Sequence, residues 1–266
     1  MSNTETPTRP AHLTEVFSSI QGEGPYVGVR QLFVRFYGCH RRCAYCDSPE
    51  TVTAWQPAGY RPVSFRVEDP PGGNRFRDEP NPIHADRLLD LIAAFDQPRG
   101  LHHSVAFTGG EPLLHADFLQ EVLPRVEHLG LKTYLETAGD LYHELDRLLP
   151  WLDIAAMDIK LPSVTRNEPA WGQHQRFLER CVANEVEVFA KVIVSADTAP
   201  AELEQAVRLV AAVAPATPFI LQPVTPCRDV RTPPTPAQLL TWQQAARAVL
   251  SDVRVIPQCH KMMGAL

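Results

Sequence analysis

The chain has 266 residues, 44% of them hydrophobic and 21% charged, a composition typical of one large globular domain. Its formal net charge of -6 excludes a general attraction to nucleic acid or anionic membranes. No apolar run is long enough to span a bilayer, and residues 1–10 contain no signal-peptide core. We therefore predict a cytoplasmic protein, with a disordered lead at residues 1–10 and a single domain at residues 11–266.

Strands and helices are predicted to alternate along the chain. The predicted strands cover residues 13–20, 31–36, 104–107, 132–135, 154–157, 187–194, 219–221 and 253–256. The predicted helices cover residues 83–95, 113–129, 141–149, 168–184, 201–213 and 236–250. Residues 55–82 are rich in Pro, Gly and Arg and predict a surface insertion with a short hairpin at residues 60–67.

This alternation predicts an α/β fold built from parallel βα units. Fewer than eight units indicate an open, partial βα barrel of about six strands rather than a closed one. In such barrels the catalytic residues lie at the carboxyl ends of the strands. The polar and glycine-containing motifs that follow the predicted strands should therefore face one mouth.

Three cysteines, Cys39, Cys43 and Cys46, stand in a C-x3-C-x2-C spacing after the second predicted strand. Three thiolates on one short loop can hold three irons of a cubane [4Fe-4S] cluster and leave the fourth iron open to a small molecule. A closed structural zinc site needs a fourth protein ligand, for which His40 is the candidate nearby in sequence. Six cysteines in a chain of this length do not indicate a disulfide scaffold.

Other polar residues accompany the strands. Residues 108–112 read Thr-Gly-Gly-Glu-Pro, where the glycines let the chain pass close to a ligand and Glu111 can accept from an ammonium group. Arg35 lies in an apolar strand, which is costly unless it is paired, and it suits either a carboxylate clamp or a structural ion pair. Ser48 can cap a helix or bind a hard cation. The turn at residues 21–25 can serve a ligand or simply join two strands.

Together these motifs resemble the radical S-adenosylmethionine (SAM) superfamily, and within it the 7-carboxy-7-deazaguanine synthase family. The cysteine spacing and the Gly-Gly-Glu-Pro motif carry the superfamily resemblance. The family resemblance is carried by residues 17–24 (FSSIQGEG), 35–39 (RFYGC), 46–48 (CDS), 158–160 (DIK), 221–223 (LQP) and 258–261 (QCHK). It covers nearly the whole chain except the lead and the insertion. The tail departs from the family in reading Gln-Cys-His rather than Gln-Thr-His.

The resemblance implies a ring contraction in the biosynthesis of 7-deazapurines such as queuosine. The implied substrate is 6-carboxy-5,6,7,8-tetrahydropterin, and the implied products are 7-carboxy-7-deazaguanine and ammonia. The implied cofactors are a [4Fe-4S] cluster, SAM and Mg²⁺, and a radical formed from SAM would take a hydrogen from C6 of the pterin. A flavodoxin- or ferredoxin-like electron donor and a homodimer are also implied, with no nucleic-acid or membrane partner.

The resemblance also assigns residues. Cys39, Cys43 and Cys46 would hold the cluster, and Ser48 would bind magnesium. The residues implied to contact SAM are Tyr45, Cys46, Asp47, Gly110, Glu111, Asp158, Ile159, Lys160, Gln222, Pro223, Val224 and Thr225. The residues implied to contact the substrate are Ile20, Gln21, Gly22, Arg35, Thr108, His260 and Leu266. Arg35 would clamp the pterin carboxylate, and His260 and Leu266 would close over the substrate.

Two alternatives remain open at this point. An activase for glycyl-radical enzymes would share the cysteine spacing and a short barrel, but it would act on a protein and would not need Arg35 as a carboxylate clamp. An iron-sulfur electron-transfer protein would have no use for the Gly-Gly-Glu-Pro motif. Binding of SAM would separate the electron-transfer protein from both enzymes, and turnover of a carboxytetrahydropterin would separate the two enzymes.

Overall fold

The computed structural model describes residues 9–266, so most of the predicted lead at residues 1–10 lies outside it. Ten strands form one open sheet. They are β1 (Leu13–Ile20), β2 (Arg30–Phe36), β3 (Ser64–Glu68), β4 (Phe76–Pro80), β5 (Ser104–Gly109), β6 (Lys132–Thr137), β7 (Ile154–Asp158), β8 (Glu187–Val194), β9 (Phe219–Pro223) and β10 (Val253–Val255). Their order in the sheet is β10-β9-β8-β7-β6-β5-β2-β1-β3-β4.

The strands β2, β5, β6, β7, β8, β9 and β10 run parallel, each beside the next. The prediction of an open α/β barrel made of parallel βα units is confirmed, although the sheet has more strands than the six or so expected. The difference arises partly at one edge, where β1 pairs antiparallel with β2 and the hairpin β3–β4 continues the sheet. Part of the insertion is therefore sheet rather than a surface excursion, and its hairpin covers residues 64–80, which overlaps the predicted residues 60–67 and ends later.

Within the described residues, eight α-helices connect or follow the strands. They are α1 (Ala85–Phe95), α2 (Ala116–His128), α3 (Tyr142–Leu145), α4 (Pro162–Thr165), α5 (Trp171–Ala183), α6 (Pro200–Val213), α7 (Pro236–Arg247) and α8 (Cys259–Met263). The short helices α4 and α8 had no counterpart among the predicted elements. Within residues 9–266, no helix combines the length and the apolar character needed to cross a membrane.

The sheet has two apolar faces, as the period of two in a strand requires. Leu32, Val34 and Phe36 of β2 belong to the larger core, which also contains buried residues of the long helices. Phe33 points the other way and belongs to a smaller cluster with Phe17, Ala106, Tyr134, Ile154, Ala156, Phe189 and Ile220. This inner cluster lies on the face of the sheet opposite the larger core.

Candidate active site

A polar side chain follows the inner apolar residue of each central strand by two positions. The pairs are Phe33 and Arg35 on β2, Ala106 and Thr108 on β5, Tyr134 and Glu136 on β6, Ala156 and Asp158 on β7, Phe189 and Lys191 on β8, and Ile220 and Gln222 on β9. Since residues two apart share a face of a strand, these polar groups form a layer above the inner apolar cluster. The register supports this arrangement, because it pairs Arg35 with Thr108 and Asp158 with Lys191.

The polar layer belongs to the wall of a cavity of about 720 Å³. The predicted site residues that line it are Ile20, Gln21, Gly22, Arg35, Cys39, Cys43, Tyr45, Cys46, Asp47, Ser48, Thr108, Gly110, Asp158, Lys160, Gln222, Val224, Thr225, His260 and Leu266. Glu111, Ile159 and Pro223 do not line it. The structure thus brings together residues from almost the whole length of the chain.

The three cysteines of the loop line one part of this cavity as free thiols. Burial raises the pKa of Cys39 to about 12 and that of Cys46 to about 11, so thiolates here need a bound cation. His40, the candidate fourth ligand, does not line this cavity, and its Nε2 lies 2.9 Å from Oδ2 of Asp140. Three thiols of one short loop in the wall of a cavity fit a [4Fe-4S] cluster with one open iron.

Later segments of the chain fasten the cysteine loop. The backbone N–H of Ala44 donates to the carbonyl of Thr165 at 2.9 Å, and that of Asp229 donates to the carbonyl of Ala44 at 3.2 Å. The thiol of Cys227 lies 3.7 Å from the carbonyl oxygen of Cys46. The loop that would hold the cluster is therefore fixed from both sides by βα loops at the same mouth.

The glycine motif packs directly on the cysteine loop. The N–H of Glu111 donates to the carbonyl of Gly38 at 2.8 Å, and a Cβ on Gly110 would collide with that carbonyl. The buried carboxylate of Glu111 accepts from Oγ1 of Thr137 at 2.7 Å and from the N–H of Ala138 at 2.8 Å. These contacts show Glu111 bracing the ends of two strands, and its contact with SAM stays a prediction.

Buried ion pairs occupy the side of the cavity formed by β7 and β8. Nζ of Lys160 lies 2.8 Å from Oδ2 of Asp158 and 3.3 Å from the hydroxyl of Tyr45. Nζ of Lys191 pairs with Glu23 and lies 3.7 Å from Asp158. Burial alone would raise the pKa of Glu23, but the Lys191 ammonium and hydrogen bonds from Lys191 and Gln258 lower it to about 2.

Arg35 lies on the opposite side of the cavity, where it contacts both Glu15 and Ser48. Its Nε lies 3.2 Å from Oε2 of Glu15, and its Nη1 donates to Oγ of Ser48 at 3.2 Å. Ser48 in turn donates to Oδ1 of Asp47 at 3.4 Å. The structural ion pair, one of the two alternatives for Arg35, is thus present. Because a guanidinium lies beside Ser48, magnesium binding at Ser48 stays a prediction.

Glu136 lies between these two sides of the cavity. Its carboxylate accepts from Nε2 of Gln21 at 2.9 Å and from Oγ1 of Thr108 at 2.5 Å. The sequence prediction omitted Glu136, Lys191 and Glu23, all of which line the cavity. For Glu136 and Lys191 a signal existed, since each lies two residues beyond an inward-facing aromatic residue of its strand.

The C-terminal tail lies against the Gln-Gly-Glu-Gly turn. The N–H of Cys259 donates to the carbonyl of Gly22 at 2.8 Å, and a Cβ on Gly22 would collide with His260. Oγ of Ser19 donates to the carbonyl oxygen of Leu266 at 3.1 Å. The turn, left open as a possible plain connection, therefore forms part of the cavity wall together with the tail.

Comparison with known proteins identifies the class and then the family. Residues 33–193 match the model of the radical SAM superfamily, so the chain is a radical SAM protein. It is 40% identical over 258 residues to 7-carboxy-7-deazaguanine synthase of Geobacter sulfurreducens, covering 96% of this chain and 98% of that protein. The synthase of Methanopyrus kandleri is 33% identical over 97% of this chain and 95% of its own. The chain belongs to the 7-carboxy-7-deazaguanine synthase family.

Solved structures agree on the fold. The crystal structure of QueE from Escherichia coli matches with a TM-score of 0.57 at 19% identity and covers 94% of this chain and 95% of its own. A radical SAM methyltransferase from Sphaerobacter thermophilus matches with a TM-score of 0.59 at 17% identity, covering 86% of this chain and 66% of its own. The superfamily match and the full-length relatives make the chain an enzyme of the radical SAM lyase type, a family that uses a [4Fe-4S] cluster and SAM.

Proposed function

We propose that this enzyme converts 6-carboxy-5,6,7,8-tetrahydropterin to 7-carboxy-7-deazaguanine and ammonia, in the biosynthesis of 7-deazapurines such as queuosine. The proposal rests on the set of residues that line the cavity. The three thiols of the cysteine loop lie in it together with the carboxylate of Glu136, the amide of Gln21, the hydroxyl of Thr108 and the guanidinium of Arg35. The full-length relatives with this name support the assignment.

The thiols of Cys39, Cys43 and Cys46 would hold the cluster. When bound and reduced, the cluster and SAM supply a 5'-deoxyadenosyl radical. The SAM side of the cavity is proposed to comprise Tyr45, Asp47, Gly110, Asp158, Lys160, Gln222, Val224 and Thr225. The buried Lys160–Asp158 pair is proposed to line the adenosine part of SAM, and Gly110 is proposed to lie at its methionyl end.

The pterin is proposed to bind between Glu136 and Arg35. An aminopyrimidinone ring carries adjacent N–H donors, and the two oxygens of Glu136 offer matching acceptors. Arg35 provides donors for the carboxylate at the other end of the substrate. Ile20, Gln21, Gly22 and the tail residues His260 and Leu266 would cover the ring. Such a cover limits access of water to a radical intermediate.

We further propose Mg²⁺ at Ser48, a flavodoxin- or ferredoxin-like electron donor, a homodimer and a cytoplasmic location. A hydroxyl next to the carboxylate of Asp47 supports a hard-cation site. A cluster that must be reduced requires a one-electron donor. The six cysteines are all free thiols, which supports a reducing compartment. The homodimer follows from the family resemblance.

The test is an anaerobic assay. The reconstituted enzyme is incubated with dithionite, SAM, Mg²⁺ and 6-carboxytetrahydropterin, and 7-carboxy-7-deazaguanine is sought by mass. We expect product from the wild type and none from Cys43→Ala, while Cys181→Ala, a substitution at a buried cysteine away from the cavity, retains the cluster. Cleavage of SAM without the deazaguanine would refute the proposed substrate, and a full cluster with neither product nor SAM cleavage would refute the radical reaction itself.

A further inference from the structure

Three charged side chains stand side by side where β2, β1 and β3 meet. The ladder register places Glu15 opposite Arg35 of β2 on one side and opposite Arg66 of β3 on the other. One oxygen of Glu15 accepts from Arg35 at 3.2 Å, and the other accepts from Arg66. All three line the cavity. One carboxylate thus bridges two guanidinium groups, and the triad has a net charge of plus one.

We infer that Arg66 is a second determinant of specificity for a carboxylate on the substrate. The inference rests on the proposed function, which supplies a substrate with a single carboxylate. Arg35 is paired with Glu15, and that pair by itself is neutral, so it attracts an anion only weakly. Arg66 supplies the unbalanced positive charge of the triad. It lies on the insertion, which thereby delivers a binding residue to the cavity.

The contacts of Arg66 leave it able to take a second acceptor. Its guanidinium lies over the ring of Phe76, 4.7 Å from the centroid, and 56% of its side-chain surface is exposed. A guanidinium has five N–H donors, so Arg66 keeps free donors after its bond to Glu15. Asp78 is the register neighbour of Arg66 on β4, but within residues 9–266 the two form no ion pair, and Asp78 does not line the cavity.

The test measures binding to the holoenzyme loaded with cluster and SAM. Two stable probes are compared by fluorescence quenching: 6-carboxypterin, and pterin without the carboxylate. For Arg66→Gln we expect the Kd of 6-carboxypterin to rise about tenfold, the effect of a lost partly exposed charge-assisted contact, while the Kd of pterin changes less than about twofold. Arg66→Lys keeps the charge, so its Kd for 6-carboxypterin should lie between those of the wild type and Arg66→Gln.

Two further variants isolate the charge balance. Glu15→Gln added to Arg66→Gln releases Arg35 from its partner and returns the triad to plus one, so the Kd of 6-carboxypterin should recover to within about threefold of wild type. Arg75→Gln removes the same charge from an exposed position of the same hairpin that does not line the cavity, and it should bind both probes as the wild type does.

The outcomes separate this inference from the proposed function. If the wild type forms 7-carboxy-7-deazaguanine but Arg66→Gln binds 6-carboxypterin unchanged, the inference is wrong and the function stands. If the wild type forms none, yet the preference for 6-carboxypterin over pterin disappears in Arg66→Gln, the function is wrong and the inference stands. Equal weakening of both probes, or no recovery with Glu15→Gln, overturns the inference. A wild type that binds neither probe overturns the inference, whereas the turnover assay alone decides the function.

Discussion

The buried pair of Lys191 and Glu23 gives the sharpest test of how the site is stabilised. Substitution of Lys191 by Met keeps the bulk of the side chain and leaves the Glu23 carboxylate without its cation. The two side chains are 13% and 18% exposed. Water therefore replaces the lost partner only in part, and a large effect on stability is expected.

The magnitude follows from the pKa of Glu23. Its fall from 4.5 to about 2 corresponds, at about 1.4 kcal/mol per pKa unit, to about 3 kcal/mol of folding free energy at pH 7. In a chain of this size such a loss lowers the melting temperature by roughly 6–10 °C. Because the folded-state pKa is depressed, the contribution is complete above about pH 4.5 and is lost as the pH falls toward 2.

In Lys191→Met the sign of the pKa shift reverses, because burial of the unpaired Glu23 carboxylate raises its pKa. Protonation then relieves the variant at low pH, while the wild type keeps most of its own contribution at pH 4. The difference in unfolding free energy between wild type and variant should therefore be at least about 3 kcal/mol at pH 7 and smaller by about 1 kcal/mol or more at pH 4. Guanidinium denaturation of the cluster-free wild type and variant at both pH values measures this difference in unfolding free energy. Adding Glu23→Gln should restore part of the loss at pH 7. A loss below about 1 kcal/mol at pH 7, or an equal loss at both pH values, would refute the reasoning.

Three further substitutions test the site. Gly22→Ala should displace His260 and the tail, so the KM for the pterin should rise about tenfold with cluster content unchanged. Asp140→Asn removes the carboxylate that accepts at 2.8 Å from Nε of Arg41 in the cysteine loop. The variant should lose iron to a chelator several-fold faster, measured by the decay of cluster absorbance. Glu111→Ala leaves a buried hydroxyl and backbone N–H groups without their acceptor, so thermal unfolding should show a loss of about 3 kcal/mol.

Each of these has a matched control. Gly172→Ala has open space around its Cβ and should leave the KM unchanged. Asp146→Asn, at a partly exposed ion pair with Arg180, should leave iron release unchanged. Glu121→Gln should cost less than about 0.5 kcal/mol, because its pair with Arg125 is partly exposed. If a control behaves like its partner variant, the effect is not due to the contact named.

The sequence predicts the central βα units well because their signals are local. The apolar run at β7 and the helical spacing at α1 do not depend on distant residues. The edge of the sheet is different, because β1 has the same alternating pattern whether it pairs parallel or antiparallel. Its partner β3 is selected by contacts such as the one between the N–H of Ser18 and a carboxylate oxygen of Glu68 at 3.0 Å, 50 residues apart. No short window of sequence contains such a pairing.

The residues of the site likewise include some that the sequence predicts and some that it does not. The cysteines and the glycine motif were predictable because their spacing itself carries the chemistry. Glu136 and Lys191 lie inside or at the end of strands, where a charged residue is usually attributed to a solvated face. The sequence pattern does not supply the contacts of Glu136 with Thr108 of β5 and with Gln21, which directly follows β1.

The fastening of the cysteine loop from later segments also bears on how the enzyme is made. The thiol of Cys227 follows Cys46 by 181 residues, and Thr165 lies between them in the sequence. At a synthesis rate of about 5–20 residues per second, the ribosome delivers the cysteines roughly 10–40 s before the segment that covers them. During that interval the three thiols lack their later contacts and remain open to a cluster donor. The same interval exposes them to oxidation, so the timing of cluster delivery determines how much of the newly made chain becomes active.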